Sequence, residues 1–185
     1  ATYDSQSHLV GVSVEGKEML LPISHIIANA DVEICINKDG SYISATRIGK
    51  DDKKTTIPAT MESAGRTRGA AKLPHPFADQ IMFLADYPGS SYAYYLVGLD
   101  KWAESEFSHP CVRAVRDYIK GKTILSDLAG EGLIKLKDGV PEDAKEQIRW
   151  RVLGASDTPE TWRDRTLFES YILYYNYVIR KLPNA

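Results

Sequence analysis

The sequence predicts an α+β fold, with an antiparallel sheet built from hairpins in the first half and several flanking helices in the second half. Two observations support this. Apolar and polar residues alternate in the first half, most clearly in DVEICIN (31–37), which is typical of a half-buried strand. The second half carries apolar residues at helical spacing between cap and terminator residues, as in SHPCVRAVRDYIKG (108–121).

The strands of the first half are predicted to form hairpins. After DVEICIN, the Asp39-Gly40 pair suits a tight reversal, and SYISATRI (41–48) resumes the alternation. Upstream, HLVGVSVEGKEMLLP (8–22) predicts a further hairpin about the Glu-Gly pair at 15–16. Two later segments also read as strands: LIKLK (133–137) and IRWRVLG (148–154).

The helices are predicted from their caps. SSYAYYLVGLDKWAESE (90–106) opens with a serine cap, and the next helix has Ser108 as its cap, Pro110 in its first turn and Gly121 as its terminator. The last helix is predicted to begin at Asp157, with Glu160 completing a capping box.

The last helix is apolar on more than one face as far as residue 182. We therefore expect it to dock against a part of the protein outside this chain. Tyr174, Tyr175 and Val178 would then be partly exposed here.

Composition indicates an ordinary globular protein, with 43% hydrophobic and 26% charged residues among 185. No apolar run reaches the roughly 18 residues of a membrane span, and the N-terminus lacks the regions of a signal peptide. We therefore expect one domain in the cytoplasm, without membrane contact. Cys35 and Cys111 lie in apolar periodic stretches, so we expect free buried thiols rather than a disulfide.

The most unusual stretch is ESAGRTRGAAK (62–72), which combines small residues with cations. Residues 47–72 hold seven cationic and three acidic side chains, a net charge of +4 within a chain of net charge −2. Glycine permits backbone conformations that other residues resist, and arginine presents a planar set of donors that suits phosphates and guanine edges. Two interpretations remain open: a nucleic-acid contact, and an ordinary solvated loop.

The sequence contains no phosphate-binding loop, dinucleotide-binding glycine motif or nucleophile elbow. None of the four histidines pairs with another histidine or cysteine at the spacing of a zinc finger or of an HExxH motif, so we expect neither a metal site nor a cofactor. The enzymatic alternative is a metal-free ribonuclease, with His75 as acid or base, Glu62 beside it and Arg66 stabilising the transition state. We expect no catalytic residue.

Three segments in this order resemble a known family: LLPISH (20–25), ADVEICINKDGSYISA (30–45) and TTIPATMESAGRTRGAAKLPHPFADQIMFLA (55–85). The resemblance is to the large subunit of type I-C CRISPR surveillance complexes, the assembly called Cascade, and it runs from Tyr3 to Tyr175. The matched positions in the third segment are Ile57-Pro58, Thr60, Glu62-Ser63, Gly65-Arg66-Thr67, Gly69, Pro74-His75-Pro76 and Asp79. Family members are several times longer, so we expect residues 1–185 to form a single N-terminal domain of a longer subunit whose helical C-terminal part is absent.

The resemblance implies a non-catalytic role in antiviral defence. The domain would contact the protospacer-adjacent motif of double-stranded target DNA, while guide pairing supplies sequence specificity. The implied partners are the crRNA-guided Cascade backbone subunits, the crRNA, the double-stranded target DNA and a helicase-nuclease recruited to the complex. The alternative is a module that anchors the 5′ handle of the crRNA, or docks another subunit, without base contacts.

Loop chemistry places the DNA contact on seven residues: Ser63, Gly65, Arg66, Thr67, Arg68, Gly69 and Lys72. We expect Arg66 to contact the motif duplex, and Arg68 and Lys72 to contact phosphates. The latter two add charge where family members carry smaller or neutral residues. The structural alternative is that Arg66 pairs with Glu62 or Asp79 and orders the loop.

Overall fold

A computed structural model describes residues 21–66 and 72–183, together with the backbone of two short strands. These strands, β1 (Thr2–Tyr3) and β2 (Leu9–Val10), pair antiparallel. The turn predicted at 15–16 lies outside the described residues. Across the described ranges, no helix has the length and apolar character needed to cross a bilayer.

Five strands form the two main sheets. A two-stranded antiparallel sheet pairs β3 (His25–Asn29) with β6 (Lys54–Pro58). A three-stranded sheet has the order β5-β4-β9, made of β4 (Val32–Asn37), β5 (Tyr42–Arg47) and β9 (Ile148–Leu153). The predicted strand at 133–137 is shorter, with β7 (Leu136–Lys137) paired to β8 (Val140–Pro141).

The hairpin between β4 and β5 is confirmed, and its turn packs against a helix. Asp39 Oδ1 accepts hydrogen bonds from the Ser41 N–H (2.9 Å) and hydroxyl (2.6 Å). Gly40 has φ +85°, and a Cβ there would lie 2.9 Å from Asp117 Cβ and 3.0 Å from the Ala114 carbonyl oxygen. Glycine is therefore required both by the backbone and by the close approach to the helix.

The strand β9 joins the sheet parallel to β4, which differs from the purely antiparallel sheet that we expected. Val32, Ile34 and Ile36 of β4 face Ile148, Trp150 and Val152 of β9, and all six are fully buried. These apolar residues alternate with polar ones, so each strand buries one face in the core, while Glu33 pairs with Arg149 and Arg151 on the other face. The α+β class itself is confirmed, because the strands dominate the first half and the helices the second.

Within residues 21–66 and 72–183, the chain forms six α-helices: α1 (Met61–Ala64), α2 (Ile81–Leu84), α3 (Tyr92–Ala103), α4 (Pro110–Lys120), α5 (Ile124–Gly130) and α6 (Arg165–Tyr174). A 3₁₀ turn, Thr161–Arg163, precedes α6, and a π-helical turn, Tyr175–Ile179, follows it. Gly121 ends α4 as predicted.

Two predicted caps are wrong, one by a single residue and the other by seven. The cap of α4 is His109, whose Nδ1 accepts from the Cys111 N–H, because Pro110 occupies the first helical position where its missing N–H costs nothing. Ser108 instead accepts a hydrogen bond from Arg113. The cap of α6 is Asp164 rather than Asp157, because the 3₁₀ turn intervenes.

The core is dominated by aromatic side chains, and the last helix belongs to it. Trp102 and Tyr174 stack with their ring centroids 5.8 Å apart, and the Tyr175 hydroxyl accepts from the Met61 N–H at 3.2 Å. Tyr174 is 2% exposed and Tyr175 is 7% exposed, so the expectation that they would be partly exposed is wrong. Val178 is half-buried against the same core. The two cysteines are free and buried, as predicted.

Candidate nucleic-acid interface

The loop predicted to contact DNA begins at the short helix α1, where Ser63 faces inward. The Ser63 N–H donates to Thr60 Oγ1 (3.0 Å), and the Thr60 N–H donates to Ser63 Oγ (2.9 Å), which completes a capping box. Ser63 Oγ also lies 2.8 Å from His75 Nδ1. Because Ser63 is 1% exposed, its hydroxyl serves the interior of the domain rather than its surface.

Arg66 forms a bidentate ion pair with Asp79. Its Nη2 lies 2.5 Å from Asp79 Oδ1 and its Nη1 lies 2.8 Å from Oδ2. The same Nη1 donates to the Leu73 carbonyl at 2.9 Å, and the guanidinium lies 4.7 Å from the centroid of the Phe83 ring. The Arg66 side chain is 14% exposed, which matches the ordering alternative stated above. A DNA contact by Arg66 stays a prediction.

Asp79 is the buried centre of a cluster that we call the Asp79 clamp: Arg66, Leu73, His75, Asp79 and Gln80. The Asp79 carboxylate is fully buried and also accepts from the His75 N–H (2.7 Å) and the Gln80 N–H (2.7 Å). These bonds join the residue before segment 67–71 to residues that follow it. The clamp therefore fixes Arg66 relative to residues 73–80.

Similarity to known proteins identifies the family. The family model for CRISPR-associated protein (Cas_Csd1) matches residues 7–182 of this chain. The chain belongs to the CRISPR-associated Cas_Csd1 family. Among curated proteins, none matches it.

The remaining loop residues of this Cas_Csd1 chain differ in their surroundings. Lys72 is exposed, and its ammonium lies 6.0 Å from the centroid of the Tyr94 ring. Gly65 has an ordinary φ of −96°, and a Cβ there would come no closer than 3.9 Å to another residue, so neither strain nor crowding requires glycine. Thr67, Arg68 and Gly69 lie outside the described residues, and their predicted roles remain predictions.

The positive charge of residues 47–72 is partly neutralised by distant acids. Arg47 pairs with Glu146 at 3.1 Å, and Lys53 pairs with Asp31 at 3.1 Å. With Arg66, three of the seven cations of this segment thus have acidic partners among the described residues. The cationic surface of this segment is therefore smaller than the seven cationic side chains in its sequence suggest.

The groups of the ribonuclease alternative are held in internal contacts. His75 is 6% exposed, its ring bonds Ser63, and burial lowers its pKa to about 4. Arg66 bonds Asp79, whereas Glu62 is exposed on the first turn of α1. The absence of catalysis remains an expectation.

Sequence reasoning missed two features of the described surface and core. Exposed apolar side chains occur near the clamp, at Met61 (78% exposed) and at Tyr94 (47%) with Val97 (70%) on α3. The second feature is a buried group of His109 and Cys111 with Asp164, from helices distant in sequence. The His-x-Cys spacing at 109–111 was a signal for part of this group, but the carboxylate follows more than fifty residues later.

Proposed function

We propose that this chain is the N-terminal domain of the large subunit of a type I-C Cascade complex. In this role it binds nucleic acid without catalysis and contacts the protospacer-adjacent motif of double-stranded target DNA. Family membership supports a CRISPR-associated role. The observation that supports the DNA contact is the Asp79 clamp, which fixes Arg66 relative to Leu73, His75 and Asp79 and so orders the residues on both sides of the cationic segment 67–72.

Within this proposal, Arg66 orders the loop, and Arg68 and Lys72 contact DNA. To read a base edge, the Arg66 guanidinium would have to leave Asp79. Breaking a buried ion pair costs about 3–5 kcal/mol, whereas a good base contact gives about 1–3 kcal/mol of discrimination. Replacing the ion pair with Asp79 by a base contact is therefore unfavourable for Arg66, and we assign the phosphate and base contacts to Arg68 and Lys72.

A second candidate function is docking of another Cascade subunit, or of the crRNA 5′ handle, without base contacts. The exposed apolar side chains of Tyr94 and Val97, which lie three residues apart on α3, favour the docking form, because exposed apolar groups near one another often mark protein interfaces. Lys72 of the cationic segment lies 6.0 Å from the centroid of the exposed Tyr94 ring, so the test must separate assembly from DNA binding.

The test compares Lys72→Ala with Lys137→Ala in the assembled complex. Lys137 is an exposed lysine on β7, distant in sequence from the loop, and serves as the matched control. We expect Lys72→Ala to weaken binding to motif-bearing and motif-free duplexes about equally. The slope of log affinity against log salt should fall by about 0.9 for the lost phosphate contact. Lys137→Ala should change neither quantity.

Three other outcomes are informative. If Lys72→Ala and Arg68→Ala assemble and bind both duplexes as the parent does, this loop is not the DNA interface. If either variant fails to assemble, the docking function is supported instead. If Arg68→Ala selectively weakens motif-bearing DNA, base reading belongs to Arg68.

A further inference from the structure

The first turns of α4 and α6 meet around three buried side chains with metal-binding atoms. His109 caps α4, Cys111 lies in its first turn, and Asp164 caps α6. All three residues are buried, and one ligand atom from each lies within 4.8 Å of the others. The fold therefore brings an imidazole, a thiol and a carboxylate together at one place.

Asp164 is a buried carboxylate without a cationic partner among the described residues. It is 1% exposed, and its Oδ1 accepts from the Thr166 N–H (3.0 Å) and the Thr166 hydroxyl (2.7 Å). Its Oδ2 is buried and has no hydrogen-bond partner among the residues that the structure describes. The other fully buried carboxylate, Asp79, is neutralised by Arg66. Because buried charges are normally paired or bound to metals, Asp164 lacks a cation that the fold supplies to Asp79.

We propose that His109, Cys111 and Asp164 bind a divalent metal ion of the zinc class. A set of one nitrogen, one sulfur and one oxygen suits zinc, whereas calcium and magnesium require oxygen ligands. Three protein ligands and a fourth position for water give the usual tetrahedral coordination. A thiolate and a carboxylate would neutralise the double charge of the ion, and each would lie at the positive end of a helix.

The protonation states fit this chemistry. Burial lowers the pKa of His109, which keeps the imidazole in the neutral form that binds metals. Burial raises the pKa of the Cys111 thiol to about 12, so binding must release this proton to solvent. The His109 ring nitrogens now bond the Cys111 N–H (3.0 Å) and Thr166 Oγ1 (2.9 Å), so coordination replaces one of these hydrogen bonds. Metal–ligand bonds of about 2.0–2.3 Å place tetrahedral ligand atoms about 3.3–3.8 Å apart, so atoms that now lie within 4.8 Å of one another must approach by about 1.5 Å at most.

The test is titration of the chelator-treated chain with Co²⁺ and then Zn²⁺. A cobalt–thiolate charge-transfer band at one ion per chain, displaced by Zn²⁺, is the expected result. The Cys111→Ser variant should lose the band, and Cys35→Ser, the matched change at the other buried cysteine, should retain it. Calorimetry in buffers of different ionisation enthalpy should report about one proton released per Zn²⁺.

The Asp164→Asn variant keeps a cap acceptor for α6 and so controls for folding. Without metal, it should unfold at the same temperature as the parent or a higher one, because it removes an unpaired buried charge. With Zn²⁺, only the parent should gain stability, and the variant should bind at least about 100-fold more weakly. A parent chain that shows no charge-transfer band, or a band that survives in Cys111→Ser, overturns the proposal.

Discussion

The Asp79 clamp can be tested by replacing Arg66 with alanine. The variant leaves a fully buried carboxylate without its bidentate partner and removes the guanidinium from the Phe83 ring. Loss of one partner from a buried pair costs about 3–5 kcal/mol. Asp79 keeps the His75 and Gln80 N–H donors, so we expect the lower end of this range, about 3 kcal/mol.

The assay is urea denaturation of the chain, followed by circular dichroism. Arg113→Ala is the matched control, because this exposed arginine bonds only the Ser108 hydroxyl among the described residues. The control should change the free energy of unfolding by no more than about 0.5 kcal/mol. A similarly small change for Arg66→Ala would refute the clamp.

A double-mutant cycle separates the pair from general damage to the loop. Arg66→Ala should cost about 1–3 kcal/mol less in an Asp79→Asn background than in the parent, because the charge that it leaves unpaired is already gone. Equal costs in the two backgrounds would mean that Arg66 stabilises the domain through contacts other than Asp79.

Three further predictions concern the turn, the buried histidines and catalysis. Gly40→Ala should lower the free energy of unfolding in urea by at least about 1 kcal/mol more than Gly89→Ala. Both glycines have positive φ, but only Gly40 lacks space for a Cβ, so equal losses would contradict the packing argument. Burial lowers the pKa of His25 from 6.5 to about 4, so the unfolded chain binds protons preferentially in this range and stability falls as the pH drops through it. His25→Phe should flatten the profile of unfolding free energy against pH without abolishing it, because His75 titrates in the same direction; an unchanged profile would contradict this assignment. The chain should leave RNA intact without metal, and metal-independent cleavage that His75→Ala abolishes would overturn the non-catalytic assignment.

Local features of the fold were predictable from the sequence, whereas pairings between distant segments were not. The Asp39-Gly40 turn is specified by neighbouring residues, so the alternating pattern and the turn residues sufficed to predict the hairpin. The parallel pairing of β9 with β4 joins segments separated by most of the helices, and nothing in the IRWRVLG pattern specifies the direction of its partner. The cap of α6 shifted for a related reason, since both Asp157 and Asp164 suit a cap and only tertiary packing selects one of them.

In the candidate site, too, contacts between residues close in the chain were predictable and contacts between distant residues were not. The sequence identified the cationic loop and named Asp79 as one possible partner of Arg66, because the two residues are close in the chain. It could not choose between a base contact and an internal ion pair, since that choice depends on how deeply Asp79 is buried. The proximity of His109 to Asp164 is wholly tertiary, and no spacing rule predicts it.

Under the proposed function, the clamp would contribute to DNA recognition without touching DNA itself. Ordering one flexible side chain on binding costs about 0.5–1.5 kcal/mol, and a segment held at both ends has fewer conformations to lose. Arg66 fixes the start of the cationic segment through Asp79 and Leu73, so its removal should weaken loop contacts with any duplex. In assembled, folded complexes, Arg66→Ala should therefore lower affinity for motif-bearing and motif-free DNA by the same factor. If the ratio of the two affinities falls instead, Arg66 leaves Asp79 when DNA binds, and it reads the motif itself.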